Sequence, residues 1–165
     1  MLPIVLSNPR LNVGLAGSGE PYARRLSWLR EGGLEPTPVS AADDLAGFHL
    51  LFVAGATAAD ASALSARARQ AGVLVHVEDR PSLCDFYAPA LVRRGDLVIA
   101  ISTGGRAPAL TKLIRQWVEA RFDALWGARV DDAGKARARW QSEGVGAAEM
   151  ARRTQSLVEN RGWLA

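Results

Sequence analysis

The sequence predicts an α/β protein built on a parallel sheet with helices on both faces. Three observations carry this reading. Short apolar runs at Leu11–Ala16, up to Val39, at His49–Ala54 and at Val73–Val77 alternate with segments of helical period at Pro21–Arg30 and Asp60–Ala71. A glycine turn, Gly17-Ser18-Gly19-Glu20, joins the first run to the first helix. The last run stops at Glu78-Asp79, so Asp79 stands at the carboxyl end of a strand, where ligands gather in open α/β sheets.

In chain order, Met1–Leu6 is a short apolar segment and Asn8-Pro9 a turn. Strand, glycine turn and helix then make the opening of a Rossmann unit, in which glycines let the backbone approach a pyrophosphate at the helix N-terminus. Gly17 and Gly19 fit G-x-G, while the third small position falls on Tyr22; the bland alternative is a glycine turn with no ligand. A ribose-binding carboxylate is expected about twenty residues after the glycines, and Asp43 and Asp44 arrive a few residues late. No Arg or Lys stands there to receive a 2′-phosphate, which favours NAD over NADP. The run His49–Ala54 leads into Gly55-Ala56-Thr57 and a helix closed by Gly72.

Beyond Asp79, Ser82-Leu83-Cys84-Asp85 has the spacing of a helix capping box, and Leu97–Ile101 is a further strand. Ser102-Thr103-Gly104-Gly105 follows, and Pro108 suits the first turn of the next helix. Pro108–Trp126 is the longest amphipathic segment, with Leu110, Leu113, Ile114, Trp117, Val118, Leu125 and Trp126 at helical spacing. Ala128–Ala165 predicts two further helices, broken near Gly144–Gly146.

A chain of 165 residues buries roughly 70% of its unfolded surface, enough for one good core or one domain with a helical appendage. The single cysteine, Cys84, forms no intramolecular disulfide, and no basic, apolar leader opens the chain, so a cytoplasmic protein is expected. No apolar run approaches the ~18 residues of a membrane helix, and no membrane association is expected. The net charge is +3, and all of the basic residues but Lys112 and Lys135 are arginines. The arginine fork suits a polycarboxylate ligand, though a bias toward arginine on solvated faces explains the count equally well. The charges are scattered, which argues against a nucleic-acid stripe.

The stretch Leu74–Glu119 resembles the siroheme-synthase (precorrin-2 dehydrogenase) family. That family's pattern runs N-V-V-D, then L-C-x-F-x-x-P, then R-G-x-L-x-I-A-I-S-T-G-G-x-x-P-x-L. It stands here as His76-Val77-Glu78-Asp79, Leu83-Cys84-Asp85-Phe86, Pro89, Arg94-Gly95-Asp96-Leu97, Ile101-Ser102-Thr103-Gly104-Gly105, Pro108 and Leu110. The resemblance implies NAD-dependent oxidation of the tetrapyrrole precorrin-2 to sirohydrochlorin, in siroheme or cobalamin synthesis, by a homodimer. It divides the chain into an NAD-binding Rossmann-like domain (1–95), a dimerisation strand–helix segment (96–126) and a C-terminal helical region (127–165). It makes Met1–Leu6 an outer strand. Members that also carry a methyltransferase are much longer, so that activity is not expected here. The family's C-terminal region is generally longer, so part of its substrate-covering surface is expected to be absent.

By the same resemblance Gly17, Ser18, Gly19, Glu20 and Pro21 hold the cofactor's pyrophosphate, with Ser18, Pro21 and Tyr22 departing from the family's run of three glycines, an acid, valine and alanine. Ala41 and Ala42 contact its adenosine half through their backbone, Gly55 and Thr57 lie over it, and His76, in place of the usual asparagine, hydrogen-bonds it. A buried neutral histidine is the alternative for His76. Asp79 removes a proton or orients the ring; its alternative role is to cap the turn before Pro81. In some relatives the same aspartate is implicated in inserting ferrous or cobalt ion, a secondary activity. Thr103 and the Gly104 and Gly105 amides, with Ser102 and Arg106, bind an acetate or propionate arm, or simply form a turn at a helix start. Arg93, Arg94 and Arg115 are further candidates. His76, Glu78, Asp79 and Cys84 match no standard zinc spacing, and alternate strand residues face opposite sides, so no metal site is expected. A rival function is a non-catalytic tetrapyrrole- or nucleotide-binding protein on the same fold.

Overall fold

The computed structural model describes residues 2–6 and 10–164. The chain forms two compact units that divide between Ala88 and Pro89. The Asn8-Pro9 turn lies outside the described residues. Leu2–Leu6 is not a strand, contrary to expectation: it is exposed and pairs with no strand among the described residues.

The first unit is a parallel sheet in the order β2-β1-β3-β4, made of β1 (Val13–Gly17), β2 (Thr37–Val39), β3 (Leu50–Ala54) and β4 (Leu74–Val77). Helix α1 (Gly19–Glu31) connects β1 to β2, and α2 (Ala58–Gln70) connects β3 to β4. The alternation of strand side chains explains why the helices take opposite faces. Val13 and Leu15 of β1 join Leu50 and Phe52 of β3 in a cluster with Leu29 of α1. Ala16, Leu51 and Val53 point the other way and pack with Ala61, Leu64 and Ala68 of α2. β3 is buried along its whole length, as a central strand covered on both sides must be. The chain steps from β1 outward to β2 and then across to β3. The carboxyl ends of β1 and β3 therefore flank the topological switch point, where such sheets bind ligands.

The edge of β4 is covered by the segment that follows it. The predicted capping-box helix is only a 3-10 turn, Pro81–Leu83, with no side-chain cap. Asp85 serves the strand instead: its N–H donates to the Val75 carbonyl (2.8 Å), and its Oδ2 accepts the Val75 N–H (3.1 Å). Cys84 Sγ lies 3.2 Å from both the amide nitrogen and the carbonyl oxygen of Val77. An open strand edge is thus closed by the amide and carboxylate of Asp85 and by the Cys84 thiol.

The second unit is an antiparallel hairpin, β5 (Ala90–Arg94) and β6 (Leu97–Ile101), packed with α3 (Pro108–Arg121), α4 (Trp126–Ser142) and α5 (Ala147–Asn160). β5 was not anticipated, because its apolar run ends in Arg93-Arg94. The Arg94 side chain is turned to the end of α3, where Nε donates to the Phe122 carbonyl (2.6 Å) and Nη2 to that of Glu119 (3.4 Å), capping helix carbonyls with a cation. The single helix expected over Pro108–Trp126 is two. It stops at Arg121, Asp123 Oδ1 accepts the Leu125 N–H (3.0 Å), and α4 begins at Trp126. The apolar stripe of α3 is mostly exposed, Leu113 by 62% and Trp117 by 57%, with only Val118 buried.

Val75 is fully buried, so removing its carboxylate partner strands a backbone donor. Asp85→Ala is expected to lower unfolding free energy by ~1–3 kcal/mol in a denaturant titration. An unchanged midpoint and slope would show that the edge is satisfied without Asp85.

Candidate active site

The N-terminus of α1 emerges directly from the end of β1 without a side-chain cap. Ser18 occupies the N-cap position in an extended conformation, and its hydroxyl makes no capping bond. Gly19 and Glu20 begin the helix, where N–H groups have no acceptor within it, and Pro21 has no N–H. Gly17 has φ +118° and Gly19 φ +72°. A Cβ on Gly17 would lie 1.8 Å from the Ala54 carbonyl oxygen, whereas one on Gly19 would meet only Pro21 Cδ at 3.8 Å. The first glycine lets two strand ends touch, and the second leaves open space in front of helix amides. That arrangement fits a dinucleotide pyrophosphate.

A cavity of about 290 Å³ adjoins this turn, lined in part by Gly17, Tyr22, Val39, Ser40 and Asp43. Asp43 is late in the sequence but not in space. The turn after β2 folds it back so that Oδ2 accepts the Ser40 N–H at 2.7 Å, and Ser40 holds its carboxyl below the ordinary range. A carboxylate thus lines the cavity at the end of β2, where a nucleoside's hydroxyls are expected. Ala41 and Ala42 sit in the same turn, tied to α2 by Arg67, which donates to the carbonyls of Ala41 and Asp43. Across the sheet, Gly55 presses on the Ser18 backbone. The Thr57 hydroxyl is used by its own helix, accepting the Asp60 N–H (3.2 Å) and donating to Asp60 Oδ2 (2.7 Å).

At the end of β4, Asp79 is exposed and has φ +59°, the only positive φ among described non-glycine residues. Aspartate tolerates the left-handed region better than most residues, but the conformation still carries strain. Among the described residues its carboxylate accepts no hydrogen bond: the 3-10 turn that follows has no side-chain cap, and the Val77–Arg80 turn closes through Arg80 N–H to Val77 carbonyl (3.3 Å). Glu78, beside it, receives Arg24 Nη2 at 3.2 Å, and Arg24 Nη1 holds Glu20 at 2.8 Å. One arginine therefore links the first turn of α1 to the residue before Asp79. The Arg24–Glu20 spacing was visible as i,i+4, but the partner at Glu78 depends on the fold. His76 lies within the sheet, buried between Phe52 and Phe86, with Nδ1 donating to the Phe86 carbonyl (3.1 Å). Burial first of all pushes its pKa down, so it is neutral at pH 7.

In the second unit, Gly104 (φ +65°) and Gly105 (φ +76°) turn the chain from β6 into α3. Thr103 Oγ1 is 2.9 Å from Thr111 Oγ1 and accepts the Ala107 N–H (3.2 Å), while Ser102 Oγ accepts the Gly104 N–H (3.1 Å). These hydroxyls fix the loop. Gly105 and Arg106 are left exposed at its tip. Arg115 pairs with Glu119, and Arg94 is committed to α3.

Residues 12–90 match the NAD(P)-binding family model, and residues 94–121 match the model for the sirohaem biosynthesis protein central region. The chain is 31% identical over 149 residues to the siroheme synthase of Methylococcus capsulatus, covering 76% of this chain and 31% of that protein. It is 34% identical over 161 residues to siroheme synthase 1 of Aeromonas salmonicida, covering 84% of this chain and 34% of that one. It therefore spans about a third of the length of these curated relatives. Among solved structures, "SirC, precorrin-2 dehydrogenase" superposes with a TM-score of 0.76 over 100% of this chain and 93% of that one, at 21% identity, which establishes a shared fold. With the glycine turn, the strand-end aspartate and both matched regions in sequence order, the chain belongs to the siroheme-synthase family.

Proposed function

We propose that this protein is an NAD-dependent dehydrogenase that oxidises precorrin-2 to sirohydrochlorin in the cytoplasm. The observation that carries the reading is Asp79: an exposed carboxylate on a strained backbone, with no hydrogen-bond partner among the described residues, at a strand end in the unit that matches the NAD(P)-binding family. Bound NAD supplies a two-electron hydride acceptor. The chain supplies the rest. Gly17, Ser18, Gly19, Glu20 and Pro21 would hold the pyrophosphate, Gly19 and Glu20 through their amides. Ser40, Asp43 and the Ala41-Ala42 turn would hold the adenosine half, and Gly55 would keep the crossing at β3 close enough for the cofactor to lie over it. Asp79 takes the proton that leaves as the macrocycle loses a hydride, so that substrate and oxidised cofactor yield product, reduced cofactor and one proton. His76 is best assigned to packing beneath this site, since its ring is already engaged. In the second unit, the Ser102–Arg106 loop would receive a carboxylate arm of the substrate, with the Gly105 amide and Arg106 as its donors.

The exposed stripe of α3 supports a homodimer. Leu110, Leu113, Ile114 and Trp117 form an apolar face in a unit with no other helix packed over it among the described residues, and a two-fold contact would bury that face against itself.

Asp79→Asn is expected to keep the fold and the NAD affinity and to lower the rate of NADH formation with precorrin-2 by ~10²- to 10⁴-fold. A folded Asp79→Asn protein with nearly full activity would mean that solvent or another group takes the proton. For assembly, light scattering should find the wild type dimeric and Leu113→Glu monomeric or aggregated; a wild-type monomer at high concentration would refute the interface.

A further inference from the structure

The most unusual cation in the first unit is Arg25, a half-buried side chain nearly two turns into α1. Its Nε is buried and has no hydrogen-bond partner among the described residues. Its guanidinium is set on two aromatic faces instead, 5.1 Å from the Trp28 ring centroid and 5.5 Å from that of Phe52. Buried polar groups are nearly always satisfied, so an orphaned guanidinium donor calls for an explanation. No ion pair among the described residues provides one. Glu78 and Asp79 are within electrostatic range of Arg25, yet Glu78 is taken by Arg24, and its second oxygen, Oε2, is itself buried without a partner. Arg25 is thus a cation set on rings, next in the chain to the arginine that holds Glu78, with donors that no group among the described residues uses. With Nε closed off from solvent, the two terminal Nη groups are the donors left for a ligand, and the rings beneath hold the guanidinium in place.

We infer that Arg25 is a substrate-binding residue that takes a carboxylate arm of the acidic tetrapyrrole on which Asp79 acts. The inference rests on the proposed oxidation for the identity of that substrate. An arginine fork pairs with a carboxylate through two charge-assisted hydrogen bonds, which a lysine cannot reproduce. The aromatic platform limits the entropy lost on binding, because the fork is ordered beforehand.

The test uses the full chain saturated with NAD, Arg25→Met and Arg25→Lys. Uroporphyrin, which bears acetate and propionate arms, serves as a binding probe read by fluorescence, and precorrin-2 turnover is followed in parallel. Arg25→Met is expected to raise both the uroporphyrin Kd and the KM for precorrin-2 by about tenfold or more, with kcat and NAD affinity nearly unchanged and Arg25→Lys intermediate. A purely structural cation would instead lower Tm and leave Kd and KM alone, and that result overturns the inference. So does a wild type that does not bind uroporphyrin. If Arg25→Met fails to fold, Arg25→Lys decides: it keeps the charge over the rings and loses the fork, so wild-type Kd and KM in that variant also overturn it. A wild type that forms no NADH, but whose uroporphyrin binding is weakened by Arg25→Met, would remove the proposed oxidation and leave Arg25 as a carboxylate-binding residue.

Discussion

Two backbone turns meet at the end of the first sheet with no side chain between them, and the arrangement of the site follows from that contact. The Ser18 N–H donates to the Ala54 carbonyl at 3.2 Å. A Cβ on Gly17 would come within 1.8 Å of the Ala54 oxygen, and one on Gly55 within 2.0 Å of the Ser18 oxygen. Real atoms do not approach so closely, so glycine is required on both sides of the crossing. Because β1 and β3 close at this point, the start of α1 is held over the switch point of the sheet and its amides face outward. Gly19, whose added Cβ would meet almost nothing, serves a different need, since its open side is where a ligand comes.

The other end of the site depends on how β4 is finished. A parallel edge strand offers unpaired amides, and here Asp85 and Cys84 supply their partners from the segment that turns back beneath Asp79. Arg69 in turn holds Asp85 at 2.9 Å, anchoring that segment to α2. The tight return from Val77 through Arg80 drives Asp79 into a left-handed conformation. The strain at Asp79 is offset by hydrogen bonds its neighbours make, while its own carboxylate remains uncommitted. Structure-building and chemistry are therefore divided among adjacent residues: Asp85 and Cys84 close the edge, and Asp79 is presented.

Much of this was legible in the sequence for a clear reason. Parallel strands buried on both faces must be continuous apolar runs, and His49–Ala54 is one, so the alternating order of the first unit could be read from hydropathy alone. Gly17 and Gly19 were visible as a motif, but their separate duties were not, because one is set by a residue 37 positions away at Ala54. Asp43 looked misplaced until the turn brought it back to Ser40. Ser82–Asp85 had the spacing of a helix cap, and that local signal lost to the need of β4 for edge partners. β5 was hidden by its arginines, one of which, Arg94, serves as a helix cap rather than as a solvated charge. Arg25 carries no sequence signal at all. Its interest lies in the rings of Trp28 and Phe52 and in a missing partner, both of which exist only in three dimensions.

The central claim is that the crossing of Gly17 and Gly55 builds a dinucleotide site at the start of α1. A crystal structure of the protein with NAD tests it most directly. The account predicts pyrophosphate oxygens about 3 Å from the Gly19 and Glu20 amide nitrogens and the adenosine ribose in the cavity beside Ser40 and Asp43. A dinucleotide bound elsewhere, with the amides of this turn still facing solvent, would contradict it.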